Sequence, residues 1–175
     1  MDFLDLVKKR RSVRSYLDKP VSDAVLEKVL EAGRLAPSAC NNQPGVFIVL
    51  KDQASRSKLE SVYNRNWFLH APVIIAVCCD RSVSWKRADG RDYGDVDAAI
   101  ALDHMTLAAA EAGLGTCWIG AFNAAQAKKV LMLPANIDPI AFTPLGYPGL
   151  EAQSPKKRKA IDDIVFWEYY DSGKQ

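Results

Sequence analysis

Apolar residues recur along this chain in two rhythms, one helical and one strand-like. Residues 2–10 carry Phe3, Leu4, Leu6 and Val7 as the apolar set of a short amphipathic helix. Ser22 stands as an N-cap with Asp23 in the first turn, and Val25, Leu26, Val29, Leu30 and Ala32 form the stripe of a second helix that Pro37 ends. Val46 to Leu50 and Val73 to Cys79 are apolar runs of buried-strand length. Between them lie a helical stretch over 55–63 and an aromatic bridge from Trp67 to His70, and a polar surface segment follows over 80–92.

From Gly94 to Ala112 the pattern predicts a helix apolar on most of its circumference, interrupted by Asp103 and His104. Such a helix is buried all round, and its many small residues let another backbone come close. Gly113 is placed as a left-handed cap, Thr116 to Ile119 reads as a short strand, and Gly120-Ala121-Phe122 as a tight turn. A short helix over 124–131 precedes a strand from Ile140 that runs into the turn at Gly146-Tyr147-Pro148. The tail holds a basic run, Lys156 to Lys159, and then Phe166, Trp167, Tyr169 and Tyr170. Aromatics this dense at a chain end need a cover, either the chain's own sheet or a partner's. A strand donated across a two-fold axis also accounts for the small-residue helix, so a partner is expected.

Composition narrows the classes. At 175 residues the length suits one domain, 1–175, whose folding buries about 70% of its surface. A net charge of +2 is too small to mark a nucleic-acid protein, and no apolar run reaches the length of a membrane span. The four cysteines and two histidines make no metal-ligand spacing. Without a leader pattern or a cysteine framework, a reducing cytoplasm is the expected compartment.

Two stretches carry candidate chemistry. Arg10-Arg11-Ser12-Val13-Arg14 places three guanidinium groups and a hydroxyl within five residues at the end of the first helix. Paired guanidinium forks match the oxygens of a phosphate monoester, although basic residues in a last helical turn also complement the helix dipole without any ligand. Ala36-Pro37-Ser38-Ala39-Cys40-Asn41-Asn42-Gln43-Pro44 is a proline-bounded loop of short polar side chains. These stabilise irregular backbone by themselves, and they equally offer donors and acceptors to a flat heteroaromatic ring at a strand mouth.

In this order, with Gly113-Leu114-Gly115-Thr116-Cys117-Trp118-Ile119-Gly120-Ala121-Phe122 and with Gly146-Tyr147-Pro148 followed by Pro155-Lys156-Lys157-Arg158, the motifs resemble the shorter members of the FMN-dependent nitroreductase family. The resemblance spans essentially the whole chain. It implies an α+β fold, a mostly antiparallel sheet flanked by helices, in an intertwined homodimer whose tail (about 156–175) reaches the partner. FMN would lie in two clefts between subunits. By the same likeness Arg10, Arg11, Ser12 and Arg14 hold the phosphate and ribityl end, helped by Lys156 or Arg158. Pro37, Ser38, Ala39 and Asn41 of the opposite subunit line the isoalloxazine, Gly120 and Ala121 offer backbone N–H groups to it, and Asn64 fits a position at its pyrimidine edge. Two departures stand out: a lysine that touches the flavin in larger nitroreductases falls here on Trp67, and the lid region near 80–92 is short.

The implied activity is an NAD(P)H-dependent flavin oxidoreductase working by a ping-pong cycle on nitroaromatics, quinones or related acceptors, with the chemistry carried by the flavin and no catalytic side chain required. The alternatives are a flavin-binding protein with little turnover, and reductive dehalogenation or ene reduction on the same scaffold. No dinucleotide-binding G-x-G-x-x-G is present to choose between NADH and NADPH.

Overall fold

The computed structural model describes residues 2–150 and 156–170. Pro155 of the last motif and positions 171–175 of the tail lie outside the described residues. Helices α1 (Phe3–Lys9) and α2 (Asp23–Arg34) lead into strand β1 (Gly45–Leu50); α3 (Gln53–Ser57) and α4 (Asn66–Leu69) precede β2 (Val73–Asp80). The long α5 (Gly94–Glu111), a two-residue β3 (Gly115–Thr116), α6 (Ala124–Val130) and β4 (Ile137–Gly146) follow. The strands form one antiparallel sheet in the order β1-β2-β4-β3.

Side-chain alternation along the central strand β2 sorts it into two cores. Val73, Ile75 and Val77 face α2 and α5, meeting Leu26, Val29, Leu102 and Met105. Ile74, Ala76 and Cys78 face the other layer, with Leu59, Phe68 and Phe142. The adjacent Cys78 and Cys79 are free thiols, and burial pushes them up to about 12 and about 11.

Several elements depart from the sequence pattern for visible reasons. The stretch 46–50 is expected to be buried, yet β1 is a sheet edge and only Leu50 in it is fully buried. Ser22 occupies the N-cap of α2, but its side chain makes no capping bond there. The helix ends at Arg34, before Pro37, as expected from the restriction on residues ahead of proline. The strand expected over 116–119 is reduced to Gly115–Thr116 plus one further bridge, between Ile119 and Phe142. Ile119 and Phe142 exchange both backbone bonds (2.9 and 3.0 Å), so the next bonded pair by register is Cys117 with Pro144. Pro144 has no N–H, and the ladder breaks there.

Helix α5 is not covered on all sides by its own chain. The buried residues, among them Ala98, Ala101, Leu102, Met105 and Ala109, lie on one face. Val96 is exposed, and Ala99, Ile100 and Leu107 on the other side are half-exposed. Likewise α1 has no buried residue: Phe3, Leu4 and Val7 face outward. Among the described residues the tail holds a 3₁₀ turn, Ile161–Asp163, and no strand; Trp167, Tyr169 and Tyr170 are 73%, 75% and 75% exposed. The chain's own sheet therefore does not cover the tail. No helix among the described residues is long and apolar enough to cross a membrane.

Candidate functional site

The basic stretch leaves α1 as extended chain and joins the sheet. Ser12 forms a parallel bridge with Thr116, the Val13 N–H donates to the Thr116 carbonyl at 2.8 Å, and the Tyr16 hydroxyl donates back to the Val13 carbonyl at 2.7 Å. Gly113, with φ +76°, turns the chain out of α5 so that the Leu114 N–H reaches the Ala109 carbonyl at 2.8 Å. Gly115 then passes directly beneath Val13. The result is a cavity of about 330 Å³ lined by Arg10, Arg11 and Val13 on one side and by Ala110, Leu114 and Gly115 on the other.

The tail adds to the charge at this corner. Lys156 Nζ donates to the Val7 carbonyl at 3.1 Å and to that of Lys8, capping the C-terminal end of α1. Its pKa is lowered, first by partial burial and then by the charges of Arg10, Arg158 and Arg11. Lys156 from the tail thus stands close enough to three guanidinium groups to be repelled by them, and an anion placed there relieves that repulsion. Ser12 and Arg14 stand exposed beside the corner.

A second group lies further along the chain. Asn64 and Ala121 share an open groove of about 640 Å³ with Tyr63, Arg65, Phe122 and Asn123. Asn123 fixes the start of α6 by accepting the Gln126 N–H at 3.1 Å, while its own N–H donates to the Val62 carbonyl at 3.0 Å. Gly120 and Ala121 are both exposed. Trp67 packs edge-on to Tyr63 and Phe68, with ring centroids 6.1 and 6.4 Å apart.

The loop from 36 to 44 forms the third group. Cys40, Asn41 and Gln43 all have φ between 51° and 55°, left-handed positions that cost about 1–2 kcal/mol each at Cys40 and Gln43 and less at Asn41. Local bonds hold it. The Gln43 N–H donates to Ser38 Oγ at 2.9 Å, Asn42 Nδ2 to the Val83 carbonyl at 2.9 Å, and the Ala39 N–H to Asp97 Oδ1 at 2.9 Å. Pro37, Ser38 and Gln43 border a cavity of about 150 Å³ that Asp97 and Phe47 also line. Asp97 was not among the sequence candidates. It is the fourth residue of α5, where a second first-turn acid, Asp95, makes it ordinary in the sequence.

Register fixes how far apart these groups stand. The loop feeds β1 where Gly45 pairs with Cys79, and Cys79 pairs with Asp138 at the start of β4. The basic corner lies at the far end of β4, where Gly146 pairs with Gly115. That separation is about 27 Å along the strands and about 14 Å across them. The loop and the basic corner are at diagonally opposite corners of one sheet. The structure therefore brings Arg10, Arg11, Lys156 and Arg158 together, and Asn64 with Ala121, but not Pro37, Ser38, Ala39 or Asn41 with either.

A helix-flanked antiparallel sheet with a cation-lined corner makes this an α+β protein. Its sequence matches the profile described as the Nitroreductase family over residues 7–63 and 60–147, and the chain belongs to that family. A nitroreductase family protein from Clostridium difficile 630 shares the fold with a TM-score of 0.91 at 37% identity, covering 97% of this chain and 100% of that one. The FMN reductase [NAD(P)H] of Bacillus subtilis (strain 168) is 34% identical over 172 residues, 89% of this chain and 68% of that protein. Iodotyrosine deiodinase 1 of Mus musculus is 28% identical over 197 residues, 94% of this chain and 68% of that protein.

Proposed function

We propose that this chain is an FMN-dependent oxidoreductase that takes reducing equivalents from NAD(P)H and delivers them, by a ping-pong cycle, to nitroaromatic, quinone or related acceptors. The observation that carries the reading is the cavity lined by Arg10 and Arg11, with Lys156 and Arg158 close beside those arginines: the Lys156 pKa is lowered first by partial burial and then by the charges of Arg10, Arg158 and Arg11. A phosphate monoester fits that donor set: guanidinium forks chelate its oxygens, and its charge cancels the repulsion. Arg14 and Ser12 add donors on the open side. When bound, FMN supplies the hydride chemistry, so the chain's own residues need only bind, orient and exclude water.

The ring end of the same ligand is assigned to Gly120, Ala121 and Asn64. Backbone donors there favour negative charge on the ring. Pro37, Ser38, Ala39 and Asn41 are assigned to the other face of the ring in a homodimer, contributed by the second copy. The sheet register supports this, because a diagonal of about 30 Å exceeds the length of a mononucleotide. The exposed apolar face of α1, the outer side of α5 and the aromatic tail supply the surface that such a dimer buries.

The test begins with colour. The purified protein is expected to be yellow, with FMN released on denaturation and identified by mass, and NAD(P)H is expected to bleach it anaerobically. Failure to bleach marks a flavin carrier with little turnover. Because iodotyrosine deiodinase is among its relatives, the acceptor panel includes haloaromatics beside nitroaromatics, quinones and activated alkenes. The double variant Arg10→Ala with Arg14→Ala is expected to lose FMN while remaining a folded dimer; full flavin occupancy would contradict the phosphate assignment.

A further inference from the structure

Asp97 sits in the N-terminal part of α5 and is only 5% exposed. Its Oδ1 accepts the Ala39 N–H at 2.9 Å, while Oδ2 is buried with no hydrogen-bond partner among the described residues. No ion pair to Asp97 occurs among those residues either. A buried carboxylate oxygen left unpartnered is a standing cost, and an alanine, like its neighbours Ala98 and Ala101, would avoid it. The role that explains the carboxylate is at its other oxygen.

Ala39 opens the 3₁₀ turn Ala39–Asn41, and the two residues after it, Cys40 and Asn41, are left-handed. Other bonds on residues 38–43 come from the loop itself or from the exposed segment around Val83, while Pro44 beyond them is held to β2 by the Asp80 N–H at 2.8 Å. The bond from Asp97 is the one that ties the turn to the buried face of the long helix α5. Beneath the turn is the cavity of about 150 Å³ that Ser38, Gln43 and Asp97 line together, so the loop has space to relax into once released.

We propose that Asp97 is a positioning residue: through the Ala39 amide it holds the 38–43 turn in the strained shape that meets the flavin ring of the opposite subunit. This rests on the assignment of that loop to the ring. Strain at a ligand-facing loop persists only where the scaffold over-determines it, and Asp97 is the scaffold's grip. Aspartate suits the place because its carboxylate accepts more strongly than a neutral group and cannot itself donate to a competing carbonyl.

Asp97→Ala and Asp97→Asn are compared with the wild type as the FMN-loaded protein, by FMN dissociation constant, flavin midpoint potential and amide exchange of peptides covering 39–43. Asp97→Ala is expected to raise the dissociation constant at least tenfold, displace the potential and speed exchange in 39–43. Asp97→Asn keeps an acceptor oxygen and is expected to restore all three to within a small margin of wild type. A purely structural role predicts a lower melting temperature with unchanged dissociation constant and potential, and that result overturns the proposal. So does an asparagine variant as impaired as the alanine one. If Asp97→Ala does not fold, Ala39→Pro removes the donor from the loop side, at a first-turn position that proline tolerates, and carries the same expectation. A wild type that takes up no FMN overturns the flavin assignment alone, since exchange at 39–43 still reports whether Asp97 holds the turn.

Discussion

Val13 and Thr116 are joined by a single backbone bond, 2.8 Å from the Val13 amide to the Thr116 carbonyl, and that bond sets where the arginines stand. It continues the sheet for one more step beyond its two-residue edge strand. Arg10 and Arg11 thereby emerge at the end of α5 rather than along the flank of α1. The side chain of Val13 is buried against Gly115, so the same residue that aligns the backbone also closes the floor of the cavity.

That floor has no room to spare. A Cβ on Gly115 would stand 2.6 Å from Val13 Cγ2 and 2.7 Å from Val13 Cβ. Gly115→Ala is expected to push the basic segment off β3, with a loss of about 1–3 kcal/mol in urea unfolding and weaker FMN uptake in titration. Unchanged stability would show that Val13 repacks without cost.

Alkaline pH probes the cation cluster. Lys156 titrates below its ordinary 10.5 because of burial and the charges of Arg10, Arg158 and Arg11. Between the lowered value and 10.5 the unfolded chain holds a proton that the folded chain has released, so stability rises with pH through that interval. Phosphate binding has the opposite sign, since the bound anion favours charged lysine. FMN affinity is therefore expected to fall as pH rises through the lowered pKa, and Lys156→Gln is expected to flatten that step. Fluorescence titrations from neutral to alkaline pH measure both.

Acid exposes a different cluster. Arg81 bonds Asp92, Asp95 and Asp138 at 2.9, 2.5 and 2.9 Å, tying the 81–93 segment to the starts of α5 and β4. Asp138 lies below its usual 3.8, chiefly through its hydrogen bond to Lys128 and also through Arg81. Asp92 is lowered as well, first by the Ser84 hydroxyl. Stability from these carboxylates is full above 3.8 and is lost as pH falls through the lowered values. Arg81→Met is expected to cost about 1–3 kcal/mol near neutrality and to make the acid decline shallower, because the folded carboxylates then titrate nearer their ordinary value, both read from melting curves.

Truncation after Ala160 tests the role assigned to the tail. It removes Ile161, Ile164, Trp167, Tyr169 and Tyr170, all exposed on the single chain. Monomers or aggregates are expected on size exclusion, because the partner loses its cover. An unchanged dimer would remove strand exchange from the account.

Periodicity made α2 and β2 legible in the sequence, because each buries its apolar residues against its own chain: Leu26 and Val29 in the helix, Val73 to Cys79 in the strand. It also marked α5 as buried all round, and the density of aromatics marked the tail as needing cover, expected from a partner. Amphipathicity alone records a demand for cover and does not name the surface that meets it. The edge position of β1 depends on strand order, which alternation does not encode. The ladder break at Pro144 depends on register, which places that proline opposite Cys117. For the site, the ordered motifs pointed to the basic corner, the groove residues and the polar loop. Asp97 escaped because acidic residues near a helix start are ordinary and Asp95 stands beside it; only its burial and its bond to Ala39 set it apart.

The diagonal placement of loop and basic corner has a consequence for inheritance and for engineering. If each cleft borrows one wall from either copy, a chain crippled only in its guanidinium grip and a chain crippled only in its loop can complement each other. A mixed pair of two such inactive chains contains one cleft built wholly from intact walls and one from damaged walls. Half the catalytic capacity returns from two dead parents, and a lesion at either corner is masked by the other.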